Sequence, residues 1–191
     1  MKKYDPLKTD FEKPSVMFVI EDTLKGLFGN RLYNSYYQSQ GGFEGHEKVL
    51  DFGCGSGVST KLIARQLTQG GMVIGLDTSS YFIKKAQKRL KRYATAQTLQ
   101  GDIQEIKIPE SSFDLISIIH VIHDIVEEKR QSMVKALARV LKPEGKLWIL
   151  EPIKESHGIP VDEIRGLMGN AGLKEIKATI KKSSYRGIYQ K

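Results

Sequence analysis

From Lys48 onward the apolar positions of this chain follow two alternating periods. Short runs (KVLDF, MVIGLD, TLQGD, FDLISII and KLWILE) read as strands, KVLDF as a buried one, and the stretches between them carry helical spacing. STKLIARQL places Leu62, Ile63 and Leu67 on one helical face. SSYFIKKAQKRLKRYA starts at a serine cap and lines up Phe82, Ala86, Leu90 and Tyr93. EKRQSMVKALARVL predicts a long helix, the turn KPEG precedes KLWILE, and VDEIRGLMGNAG predicts a helix ending at glycine. LKEIKATI and SYRGIYQ read as a terminal pair of strands. Strands separated by helices of this length imply parallel β-α-β units and an α/β, doubly wound, mostly parallel sheet. Upstream, Ser15–Gln40 predicts two helices, SVMFVIEDTLKGLF and RLYNSYYQSQ, and GGFEGHE (Gly41–Glu47) reads as a flexible hinge. The expected organisation is a helical lid over residues 1–45 and a core over 46–191.

Composition narrows the class. The 191 residues suit one domain, and 40% hydrophobic with 27% charged residues is an ordinary globular mix. No run of about 18 apolar residues predicts a membrane span, and MKKYDPLKTDFEKP has no apolar stretch of the signal-peptide kind. Cys54 is the only cysteine, so neither a disulfide framework nor a CxxC metal site is expected, and a cytoplasmic protein is the simplest reading. The formal charge of +8 concentrates in KKAQKRLKRY, and no acid occurs between Asp77 and Asp102. That pattern fits a solvated helix face better than a nucleic-acid surface, because aromatic residues are not interleaved with the charges.

The candidate chemistry lies in VLDFGCGSGVST (Val49–Thr60). A first strand-to-helix turn in a doubly wound sheet faces the ligand, and bare glycine backbone lets a ligand come close. The dinucleotide fingerprint G-x-G-x-x-G/A fails here: counted from Gly53, its third glycine position is Val58. What stands is D-x-G-x-G-x-G, from Asp51 through Gly53, Gly55 and Gly57. Asp77 closes MVIGLD, Asp102 follows in QGDI, and Asp114 opens FDLISII. With this loop and these acids the chain resembles the class I S-adenosylmethionine-dependent methyltransferases, from Lys48 to the C-terminus.

The resemblance implies a seven-stranded Rossmann-like methyltransferase fold, with S-adenosylmethionine as cofactor and S-adenosylhomocysteine as product. Carried over residue by residue, Gly53, Gly55 and Gly57 leave room for the methionine portion, and Asp51 acts through the loop near its ammonium group. Asp77, with Thr78 beside it, takes the ribose. Asp102 and Ile103 take the adenine, and the main chain at Ile119 closes over the methionine amino group. His120 is expected near the sulfonium or the acceptor, His123 in a cap or core role, and Cys54 as backbone only. No catalytic group and no metal ligand can be assigned. Phe28, Tyr33, Tyr36 and Tyr37 are candidates for an aromatic lid. The branch resembled is the small-molecule one of quinone-biosynthesis type, so a small-molecule acceptor is expected. Open beside it stand a tRNA or rRNA methyltransferase using the basic surface and a non-catalytic cofactor-binding module. The sequence is silent on oligomeric state.

Overall fold

The computed structural model describes Glu12, Arg31 and residues 33–191. Two compact units divide the fold at Asp102, one within Thr9–Asp102 and the other carrying Ile103–Lys191. The first predicted N-terminal helix, with Phe28, lies outside the described residues.

The first unit holds three parallel strands in the order β3-β2-β1: β1 (Lys48–Phe52), β2 (Met72–Asp77) and β3 (Ala96–Gln100). β1 pairs with β2 from Lys48↔Met72 to Phe52↔Leu76, and β2 with β3 from Val73↔Ala96 to Asp77↔Gln100. The middle of β1 is buried on both faces, which is why Val49 and Leu50 are both apolar instead of alternating with polar residues. Helix α1 (Val58–Gln66) follows β1 and buries Leu62, Ile63 and Ala64. Helix α2 (Ser80–Leu90) follows β2; Ser79 caps it by accepting from the Phe82 amide at 3.2 Å. Its buried face is Phe82, Ile83, Ala86 and Leu90. The predicted stripe ran on to Tyr93, but the helix stops at Leu90, where the Tyr93 amide closes a tight turn onto the Leu90 carbonyl at 2.8 Å.

The described N-terminal residues are packed. Residues 33–39 are helical, but Tyr36 and Tyr37 are fully buried, with Tyr37 packed 5.1 Å from Phe43. The GGFEGHE segment is anchored rather than free. The Glu47 carboxylate accepts from the amides of Glu44 and Gly45 at 2.6 and 2.7 Å, and the Gly45 carbonyl accepts from Gln69 and Gly71.

The second unit holds β4 (Phe113–Ile119), a 3-10 turn (Ile122–Asp124), α3 (Glu127–Val140) and β5 (Leu141–Lys154). After these come β6 (His157–Gly158), α4 (Val161–Gly169), β7 (Lys174–Lys181) and β8 (Ser184–Gln190). Its strand order is β4-β5-β8-β7; β4 and β5 are parallel, while β8 runs antiparallel to both β5 and β7. The predicted KPEG turn is a bulge inside β5. Pairing steps from Phe113↔Leu141 to Leu115↔Lys146, so residues 142–145 loop out, with Glu144 at φ 62. β6 was not predicted, because a two-residue strand has no period to read; it folds back on β5 through Ile153↔Gly158 and Lys154↔His157. Among the described residues the strands, β6 aside, number seven, as expected, and the parallel strands with intervening helices make the fold Rossmann-like. Among the described residues no helix is long and apolar enough to cross a membrane.

Candidate functional site

The loop between β1 and α1 turns on three residues that a side chain would strain. Gly53, Gly55 and Gly57 have φ of 68, 50 and 78, a region that costs other L-residues roughly 1–2 kcal/mol. The three differ in what surrounds them. A Cβ on Gly55 would meet nothing within 4 Å, so this stretch of main chain borders open space. A Cβ on Gly57 would lie 3.1 Å from the Ala86 Cβ and 3.2 Å from its Cα, so Gly57 is bare to let α2 pack closely. Main-chain bonds fix the turn: Gly53 and Cys54 donate to the Leu76 carbonyl at 2.8 and 3.0 Å, and Gly57 donates to the Cys54 carbonyl at 2.9 Å. Arg89 adds a side-chain tie, donating from Nη1 to the Ser56 carbonyl at 2.6 Å and to Ser56 Oγ.

Two of the predicted acids converge on this loop. Asp77, at the carboxyl end of β2, accepts the Gly55 amide on Oδ2 at 2.8 Å and the Ser79 amide on Oδ1 at 2.9 Å. One carboxylate therefore sets the loop and the start of α2 together. Burial pushes its pKa up, partly opposed by those amide bonds. Asp51 is buried at the end of β1, its Oδ2 accepting from Ser59 Oγ at 2.7 Å and Thr60 Oγ1 at 2.6 Å. Burial raises this carboxyl to about 6 against an ordinary 3.8, with the two hydroxyl bonds pulling the other way. Asp51 thus orients the first turn of α1 without reaching solvent. Ser59 and Thr60 are the partners that motif spacing alone did not single out. Burial also pushes the Cys54 thiol up, which disfavours a nucleophilic thiolate.

Around the same strand ends, Thr78 is exposed and its carbonyl accepts from Gln100 Nε2 at 3.4 Å. Asp102 is half-buried, just after Gly101, whose amide donates to the Asp77 carbonyl at 3.0 Å. Glu12 was not anticipated: its carboxylate accepts from both the amide and the hydroxyl of Ser80 at 2.7 Å, and its charge also raises Asp77. The basic helix α2 spends part of its charge internally, through Arg89 on Ser56 and Lys85 over the Tyr81 ring at 4.9 Å.

In the second unit Ile103 is buried and Ile119 ends β4. His120 follows at φ 56, a left-handed conformation unusual for a histidine, held by its amide bond to the Leu150 carbonyl at 2.8 Å. His123 is buried, its Nδ1 2.6 Å from Glu151 Oε2. Glu151 Oε1 accepts the amides of Val121 and Ile122 at 2.8 Å each. Glu151 lies far from His123 in sequence, and only the tertiary structure pairs them. Asp114 has a different role from the other acids. It lies at the amino end of β4, about 17 Å along the strand from Ile119, where Lys142 Nζ donates to it at 2.7 Å.

The family model described as methyltransferase domain matches residues 50–149. A demethylmenaquinone methyltransferase of Lactobacillus johnsonii is 32% identical over 114 residues, 58% of this chain and 46% of that protein. The chain spans about half the length of this curated relative. A SAM-dependent methyltransferase from Aquifex aeolicus shares the fold at TM-score 0.69 and 19% identity, covering 98% of this chain and 99% of that one. The 4+2 cyclase SpnF shares it at TM-score 0.75 and 14% identity, covering 85% of this chain and 80% of that one. A common fold therefore carries more than one reaction, and the family assignment rests on the matched stretch and its glycine loop. This chain belongs to the methyltransferase-domain family, the class I S-adenosylmethionine-dependent group.

Proposed function

We propose that this protein is a methyltransferase that binds S-adenosylmethionine and transfers its methyl group to a small-molecule acceptor, releasing S-adenosylhomocysteine. The observation that carries the reading is the Gly53–Gly57 loop, open at Gly55 and tied to the Asp77 carboxylate by the Gly55 amide. Space beside bare main chain, with a carboxylate at the next strand end, fits an amino-acid moiety joined to a ribose. In this reading Asp77 and Thr78 hold the ribose hydroxyls, and Gly53 and Gly55 line the methionine portion. Gly57 acts indirectly, by seating the loop on Ala86. Asp51 holds Ser59 and Thr60 at the start of α1 and supplies negative charge behind the loop for an ammonium group. By the family pattern Asp102 and Ile103 take the adenine, and Ile119 and His120 take the methionine and acceptor side.

The cofactor supplies an electrophilic methyl on a sulfonium. The chain's task is to bind and align, and alignment of two reactants can supply about 7–11 kcal/mol of a barrier. In-line displacement at that methyl needs no obligatory protein base, which agrees with a site built from main chain and carboxylates. The acceptor class is supported by the demethylmenaquinone methyltransferase relative. An RNA acceptor is less well supported, since Arg89 and Lys85 of the basic helix are engaged within the protein. The reading is of a cytoplasmic enzyme with residues 1–45 as its lid and 46–191 as its core.

The test is a set of calorimetric titrations with S-adenosylmethionine, S-adenosylhomocysteine and NADH, repeated on Asp77→Ala. Binding of the first two, lost in the variant, is expected. NADH binding with silence from both sulfur compounds would overturn the reading.

A further inference from the structure

The second unit contains a cluster to which the methyltransferase reading assigns no role. His123, Asp124 and His157 each offer a ligand atom, and these atoms lie within 4.8 Å of one another. His123 Nε2 is 3.1 Å from His157 Nε2 and 3.4 Å from Asp124 Oδ1. We propose that these three residues form a site for a zinc-type dication, with Glu151 as the positioning residue for His123.

The argument begins with the tautomer. An ionised Glu151 only accepts, so at 2.6 Å the His123 Nδ1 must carry the proton. In the neutral ring that leaves the Nε2 lone pair pointing at the cluster. There it meets Asp124 Oδ1, which is buried and makes no hydrogen bond. A proton on His157 Nε2 can satisfy a neutral His123 but leaves the buried Asp124 oxygen without a donor unless His123 takes a second proton, at 3.4 Å from it. A cation among the three atoms satisfies all of them.

Geometry agrees. Tetrahedral zinc with bonds of about 2.0–2.1 Å sets its ligand atoms about 3.3 Å apart, and the separations measured from His123 fall on either side of that length. The chain Glu151–His123–ion is the arrangement by which a carboxylate fixes a metal-binding imidazole. Glu151 is itself fixed by the amides of Val121 and Ile122. Two imidazoles and one carboxylate favour zinc over magnesium, which prefers oxygen ligands. His157 is exposed on the β5–β6 hairpin, giving the ion an entry path and leaving one ligand free to adjust. Three protein ligands leave a fourth position for water.

The His123 ring lies 6.4 Å from that of His120, so the test reads zinc binding directly and does not depend on activity. The full chain, stripped with a chelator and dialysed, is titrated calorimetrically with Zn²⁺ and separately with Mg²⁺. Zinc is expected to bind near one equivalent and magnesium to give no response. His157→Ala, at an exposed position whose folding is checked by circular dichroism, should weaken zinc at least 100-fold. Glu151→Gln should weaken it by about 10–100-fold, and Cys54→Ser should leave it unchanged. Zinc affinity equal in wild type and His157→Ala, or no zinc binding, would overturn the proposal. So would binding that depends on Cys54.

Discussion

The glycine loop and the histidine cluster both lie where strands end, but they are made from different material. The loop is main chain. Its shape comes from three glycines within five residues, and its hydrogen bonds run to the next strand end and the next helix. The cluster is side chain: a 3-10 turn supplies His123 and Asp124, β5 supplies Glu151, and a two-residue strand supplies His157. The loop's carboxylates are also managed differently from a third one, Glu175, outside both sites. Burial pushes Asp51 and Asp77 up, and hydroxyls and amides only partly compensate. Elsewhere in the second unit Glu175 is held low by Arg165, which donates to it at 2.9 and 3.1 Å. A site assembled from local backbone leaves a spacing in the sequence, whereas one assembled from distant side chains does not.

The largest test of that separation is Asp77→Ala. It removes the carboxylate proposed to hold the ribose and also releases the amides of Gly55 and Ser79. Charged hydrogen bonds of this kind contribute about 1.5–3 kcal/mol each. S-adenosylmethionine affinity should fall at least about 100-fold, while zinc affinity stays at the wild-type value. Parallel losses of both ligands would mean the two regions are not independent.

Asp51 gives the next effect, and it depends on pH. Its folded value of about 6 lies above the ordinary 3.8, so between these values the folded state holds the proton more tightly than the unfolded chain. The stabilisation is complete below pH 4 and is lost as pH rises through 6, a change of about 3 kcal/mol. Asp51→Asn keeps an oxygen for Ser59 and Thr60 and removes the titration. Denaturant midpoints of wild type should fall relative to the variant from pH 4 to pH 7; parallel curves would sink the assignment.

Gly57→Ala isolates the packing role of the loop. It places a methyl 3.1 Å from Ala86 Cβ at a positive φ and should destabilise the protein by about 1–2 kcal/mol in urea unfolding. An unchanged midpoint would show that α2 simply shifts to make room. The smallest effect belongs to the Asp114–Lys142 pair, whose side chains are 36% and 43% exposed. Lys142→Ala should change stability by less than about 1 kcal/mol. A larger loss would give the bulge in β5 a structural importance that its exposure does not suggest.

Sequence by itself determined the order of strands and helices, the Ser79 cap, the glycine loop and the family. Those features arise from period, turn chemistry and backbone conformation within a few residues. It misread GGFEGHE as free, because its anchors are the Glu47 carboxylate and the amides of Gln69 and Gly71, which composition does not reveal. It placed Asp114 at the opening of the fourth strand, where it lies, but its Lys142 partner came only with the fold. Tertiary structure alone divided the glycines between an open Gly55 and a packed Gly57. It also buried Asp51 against Ser59 and Thr60 and brought His157 to within 3.1 Å of His123. Each of these depends on what lies across a space between elements, and such separations are set by packing rather than by order along the chain.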